Sequence, residues 1–124
     1  MLEPNYILLY VNDPIASEKF YSDLLGLKPV ESSPTFALFV LSSGVKFGLW
    51  SKHTVEPAAT LTGGGCEIAI SVADNDAVEA LHTEWSQRGL TILQPPTDLD
   101  FGHTFVALDP DAHRIRVLAL HHTD

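Results

Sequence analysis

Arg114 and Arg116 stand two residues apart in the second arm of FGHTFVALDPDAHRIRV (101–117), a stretch that reads as two strands folded around Asp109-Pro110-Asp111-Ala112-His113. In a strand the two arginines share one face and Ile115 and Val117 the other. A guanidinium is always charged, so that face demands a partner and repels a bound cation. Other groups capable of chemistry are scattered. His53, His82, His103, His113, His121 and His122 show no metal-ligand spacing. Cys66 opens a strand after three glycines, with nothing nearby that would activate its thiol. No Ser-His-Asp set, phosphate loop or zinc-binding cysteine pattern is present. His53, His82, His121 and His122 read as solvated surface residues, and His113 as trimming its turn. Trp50 ends the run KFGLW with the parity of Gly48, while Val45, Phe47 and Leu49 supply the other face. An indole so placed is a candidate ligand platform, with the small Gly48 beside it expected to leave room for a flat ring and Tyr6 and Tyr10 as weaker companions.

The elements that must position these residues come as a repeat. YILLYVND (6–13) and EIAISVAD (67–74) share alternating aliphatics and a closing Asp at an offset of 61. Each runs into a helix. The first is expected to open on Asp13 and Pro14, to bury Ala16, Phe20 and Leu24, and to stop at Gly26. The second carries Val78, Leu81 and Trp85 on one stripe, has Asp76 and Glu79 as a capping-box signature, and stops at Gly89. A short strand, a loop and a hairpin follow each helix, the first hairpin (36–50) turning at Ser42-Ser43-Gly44. The result is an α+β chain: one domain of two βαβββ modules, about 5–51 and 65–120, joined by a polar linker over 52–64. By the period of two, Ile7, Leu9 and Val11, Ile68, Ile70 and Val72 face the helices. Tyr6, Leu8, Tyr10, Glu67, Ala69, Ser71, Arg114 and Arg116 face away. Thr104 and Val106 join that second set if Phe105 and Ala107 face a helix.

The totals set limits. A chain of 124 residues with 45% hydrophobic content buries a modest core. A net charge of −9 argues against nucleic acid or an anionic membrane and is compatible with a cationic or neutral ligand. One cysteine, no signal sequence at the amino end and no run of transmembrane length make the cytoplasm the expected compartment.

VNDPIASEKFYSDLLGLKPV (11–30) and FVALDPDAH (105–113) carry a resemblance to the vicinal oxygen chelate superfamily, the group of glyoxalase I, bleomycin-resistance proteins, fosfomycin-resistance transferases and extradiol dioxygenases. The departure is Ala112, where Gly is usual. The resemblance implies two modules whose curved sheets frame a cleft, and a homodimer. Family enzymes hold a divalent metal at places that correspond to Tyr6, Gly48, Glu67 and Arg116. Of these only Glu67 is a suitable ligand. In similar folds the places of Glu67 and Arg116 approach one another, so a buried ion pair is expected where a metal would sit. The stretches 20–51 and 96–117 look similar to phenazine- and bleomycin-resistance proteins. The implied function is a metal-free, cofactor-free protein that sequesters an aromatic or peptide antibiotic. Trp50, Tyr6, Tyr10, Gly48, Glu67, Phe101, His103, Thr104, Val106 and Arg116 would contact it. The competing readings are a metal-dependent glyoxalase-like lyase, thiol transferase or dioxygenase, and a regulatory module without a ligand.

Overall fold

Asp13 and Pro14 start the first helix as expected. In the computed structural model, which describes residues 1–121, Asp13 is extended and its Oδ1 accepts from the amides of Ile15 (3.1 Å) and Ala16 (3.4 Å). That satisfies donors a first helical turn leaves unpaired. The chain runs β1 (Tyr6–Val11), α1 (Pro14–Leu25), β2 (Glu31–Ser32), β3 (Phe36–Val40) and β4 (Lys46–Ser51). It continues as β5 (Glu67–Ser71), α2 (Asn75–Gln87), β6 (Thr91–Leu99), β7 (Gly102–Leu108) and β8 (Arg114–Leu120). Two compact units divide between Gly63 and Gly64. Their sheets share one plan, β1-β4-β3-β2 and β5-β8-β7-β6, so the repeat extends to topology. The first strand of each unit pairs parallel with the last, and the other pairings are antiparallel. Neither sheet closes into a barrel.

In the first unit α1 covers Leu9, Val11, Ala37, Phe39, Phe47 and Leu49, all buried. Its buried stripe is Pro14, Ser17 and Tyr21, which corrects the expected Ala16, Phe20 and Leu24. Tyr21 is the reason: its ring meets Phe47 edge-on at 4.9 Å, and Ser17, a turn earlier, is small enough to lie fully buried. Ala16 is left exposed. In the second unit α2 buries Val78 and Trp85, and Trp85 meets Phe105 edge-on at 5.4 Å. Its N-cap is Asp74, whose Oδ1 accepts from the Ala77 amide at 2.8 Å, in place of the expected Asp76–Glu79 box. Positive φ at Gly26 and Gly89 ends both helices. His82 is half-buried and edge-on to Phe105 at 5.4 Å, not solvated as expected. His53 is exposed but bonded to Asn12, and His122 lies outside the described residues.

The short strand expected after α2 is the nine-residue β6. It tolerates Pro95 and Pro96 because it is the sheet edge, and its pairing with β7 shifts between Ile92 and Gln94 and again before Thr97. The β7–β8 turn is held by Asp109, whose Oδ1 accepts from the amides of Asp111 (2.8 Å) and His113 (2.9 Å). Within it Ala112 sits at φ +65°, where a side chain is strained by about 1–2 kcal/mol. Ala112→Gly is therefore expected to raise stability to urea by about 0.5–1 kcal/mol, after allowance for the extra unfolded-chain entropy of Gly. An unchanged or lower midpoint would mean the turn carries no such strain.

Candidate functional site

The uncovered face of the first sheet is aromatic. Parity and register put Tyr6 in one row with Lys46, Leu8 in the next with Gly48 and then Leu38, and Tyr10 in a third with Trp50 and then Phe36. Tyr6, Leu8, Phe36 and Trp50 line a depression of about 380 Å³, with Phe36 edge-on to Trp50 at 6.1 Å. Trp50 is half-buried and Tyr6 exposed, so both present ring surface to solvent. The clearance expected over Gly48 is taken up: an added Cβ there would lie 2.7 Å from Leu8 Cδ2 and 3.1 Å from Phe36 Cζ. Gly48 thus lets these two side chains settle against the sheet, where they line the depression. Tyr10 borders a separate hollow of about 520 Å³ formed with residues 57–62. Leu8 and Phe36 were not foreseen as site residues. Phe36 was legible: centring the hairpin on Ser43 sets it opposite Trp50, as the register shows.

The uncovered face of the second sheet is polar and built on Arg116. Its Nε donates to Glu67 Oε1 (2.7 Å) and its Nη2 to Glu67 Oε2 (3.2 Å), a two-pronged ion pair. Nη1 donates to Gln94 Oε1 (3.3 Å) and Thr104 Oγ1 (3.2 Å), and the Thr104 hydroxyl donates onward to the Val117 carbonyl (2.8 Å). The Phe101 ring centroid lies 5.9 Å from the guanidinium carbon. Val106, buried, shares a row with Gln94 and Arg116. Glu67 and Arg116 are thus paired, as expected, with Phe101 and Thr104 against the guanidinium and Val106 in its row. The pair is less buried than expected, with 34% of the Glu67 and 15% of the Arg116 side chain exposed. Gln94 escaped the sequence because the register shifts in β6 defeat counting by twos. Arg114 is exposed, in a shallow hollow with residues 64–67.

His103 does not join this set. It shares parity with Phe105, on the α2 side, where Nδ1 meets Asp98 Oδ1 (2.6 Å) and Nε2 meets Glu79 Oε1 (2.8 Å). Hydrogen bonds to Glu79, then to Asp98, raise its pKa above the ordinary imidazole value. His103 is therefore a tie between β6, β7 and α2.

Residues 3–117 match the Glyoxalase/Bleomycin resistance protein/Dioxygenase superfamily. The chain belongs to that superfamily. It is 34% identical to the phenazine antibiotic resistance protein EhpR of Enterobacter agglomerans over 96% of this chain and 93% of that one. A protein of Agrobacterium tumefaciens, solved by solution NMR, is 52% identical, with a TM-score of 0.91 over 98% of this chain and 100% of that one. A glyoxalase-related enzyme from Fulvimarina pelagi shares the fold at 23% identity, with a TM-score of 0.81 over 96% and 88% of the two chains.

The superfamily's enzymes use a divalent metal, and this chain's residues do not fit one. Gly48 has no donor, Tyr6 offers a phenol, and Glu67 has both oxygens engaged by the Arg116 guanidinium. Among the described residues no three His, Cys, Asp or Glu side chains are grouped to hold a metal ion.

Two outcomes follow from this geometry. Glu67→Gln or Arg116→Met alone should cost about 1–2 kcal/mol in urea unfolding, between the values for exposed and buried pairs, and the double variant less than the sum. Strict additivity would show the two groups uncoupled. For His103 the folded pKa is raised, so its contribution is complete below the unfolded value of about 6.5 and is lost as pH rises through the folded value. The wild-type melting temperature should thus fall relative to that of His103→Gln as pH rises above the unfolded value and through the raised folded one. Parallel curves for the two proteins would contradict this.

Proposed function

We propose that this chain is a small-molecule binding protein of the drug-sequestering type that holds a flat aromatic compound against Trp50 and Tyr6. The observation that carries the reading is the apolar depression formed by Tyr6, Leu8, Phe36 and Trp50, whose volume of about 380 Å³ lies in the range of small-molecule sites. Aromatic walls set at different angles offer both face and edge to a planar ring, worth about 0.5–1.5 kcal/mol beyond area burial for each good contact. The relative named for phenazine resistance supports an aromatic antibiotic as the ligand class. The poor fit of Tyr6, Gly48, Glu67 and Arg116 to a divalent cation weighs against the lyase, transferase and dioxygenase alternatives. A homodimer acting in the cytoplasm completes the reading, and light scattering of the purified protein tests its oligomeric part.

Trp85 is 3% exposed and packed on Phe105, so it serves as an internal reference for fluorescence. Phenazine added to the protein should quench Trp50 emission and raise stability, by about 2.7 kcal/mol at 100 times its dissociation constant. Trp50→Phe should remove most of the quenching and weaken binding. Unchanged affinity in Trp50→Ala, or a response carried wholly by Trp85, would place the ligand elsewhere. A stoichiometric divalent metal in the purified protein, lost in Glu67→Ala, would restore the enzyme alternatives.

A further inference from the structure

Cations are scarce in this chain: seven Lys and Arg stand against sixteen Asp and Glu. Lys19, Arg88 and Arg116 each contact a carboxylate. Lys46 is placed differently. It opens β4 with its amide donating to the Asn5 carbonyl at 2.9 Å, which fixes the strand's start. It has the parity of Gly48 and Trp50, so it belongs to the aromatic face. Its neighbours in the same row are Tyr6 on one side and Val40 on the other, and neither is acidic. Its ammonium lies 5.1 Å from the centroid of the Tyr6 ring. The acid that register puts on this face is Glu31, opposite Leu38 in the next row and on the far edge strand. Among the described residues Lys46 takes part in no ion pair, and it is half-buried.

We infer that Lys46 is a specificity residue, selecting planar aromatic ligands that bear a carboxylate over uncharged ones. The inference rests on the reading of the Trp50 depression as the ligand site and deepens it. Tyr6 belongs both to the wall of the depression and to the cation–π contact, so a ring seated there carries a substituent past Tyr6 to the ammonium. The quadrupole of Tyr6 holds the ammonium over the ring face before a ligand arrives, which limits the side-chain entropy lost on pairing. The net charge of −9 opposes anions in general, but that field is screened beyond about 8–10 Å. A direct ammonium–carboxylate contact acts inside that distance. The local charge therefore decides preference, and the global charge disfavours anions that lack the aromatic body.

Isothermal titration calorimetry with phenazine and phenazine-1-carboxylate, against wild type, Lys46→Met and Lys46→Arg, tests this. Lys46→Met should weaken the carboxylate about tenfold and phenazine less than about twofold, while Lys46→Arg should retain most of the carboxylate affinity. Equal weakening of both compounds would reduce Lys46 to a packing partner of Tyr6 and overturn the inference, as would undiminished carboxylate binding to Lys46→Met. Binding of neither compound to wild type would remove the aromatic-site reading itself, and the inference with it.

Discussion

A four-stranded sheet packed on one helix can hide only one of its faces, and each half of this chain is such a unit. Tyr21 against Phe47 in one and Trp85 against Phe105 in the other are the contacts that assign the faces. Once a residue on each strand is committed to its helix, the alternation of side chains assigns the rest. A one-residue slip would bury Lys46 and Arg116 and expose Phe47 and Val117, at a cost no surface contact could offset. Everything proposed about ligand recognition is therefore a consequence of core packing on the opposite side of the same strands.

The two units share a strand order but finish their uncovered faces differently. In the first, small Gly48 allows Leu8 and Phe36 to lie close to the backbone, leaving apolar relief between Tyr6 and Trp50. In the second, Arg116 gathers Glu67, Gln94, Thr104 and Phe101 into a network whose donors are largely satisfied. A satisfied network is rigid and offers little free hydrogen-bonding capacity, whereas an apolar hollow with exposed rings gains by being covered. That difference is why the ligand reading centres on the first unit and the structural reading of Arg116 on the second.

His103 illustrates how placement overrides residue type. An imidazole near a strand start is a natural candidate for ligand contact, yet parity with Phe105 turns it toward α2. There it takes one carboxylate from the helix and one from the neighbouring strand. The same hairpin carries Phe101 over Arg116. The tip of the β6–β7 hairpin is thus tied on one side by charge and on the other by an aromatic contact.

Local chemistry was readable from the sequence. The repeat, both helix starts within a residue or two, the turns and the face of nearly every strand residue follow from short-range rules of capping, φ preference and period. The Glu67–Arg116 pairing was legible only through resemblance, because its partners lie far apart along the chain. Three matters required the folded chain. The buried stripe of α1 runs through Ser17 and Tyr21, since fit against Phe47 outweighs hydrophobicity along the helix. Gln94 reaches Arg116 because two register shifts in β6 break the count of two. The space above Gly48 belongs to Leu8 and Phe36, because occupancy is set by whichever side chain across the sheet can fill it first. Periodicity assigns a residue to a face, but only packing in three dimensions decides what that residue touches.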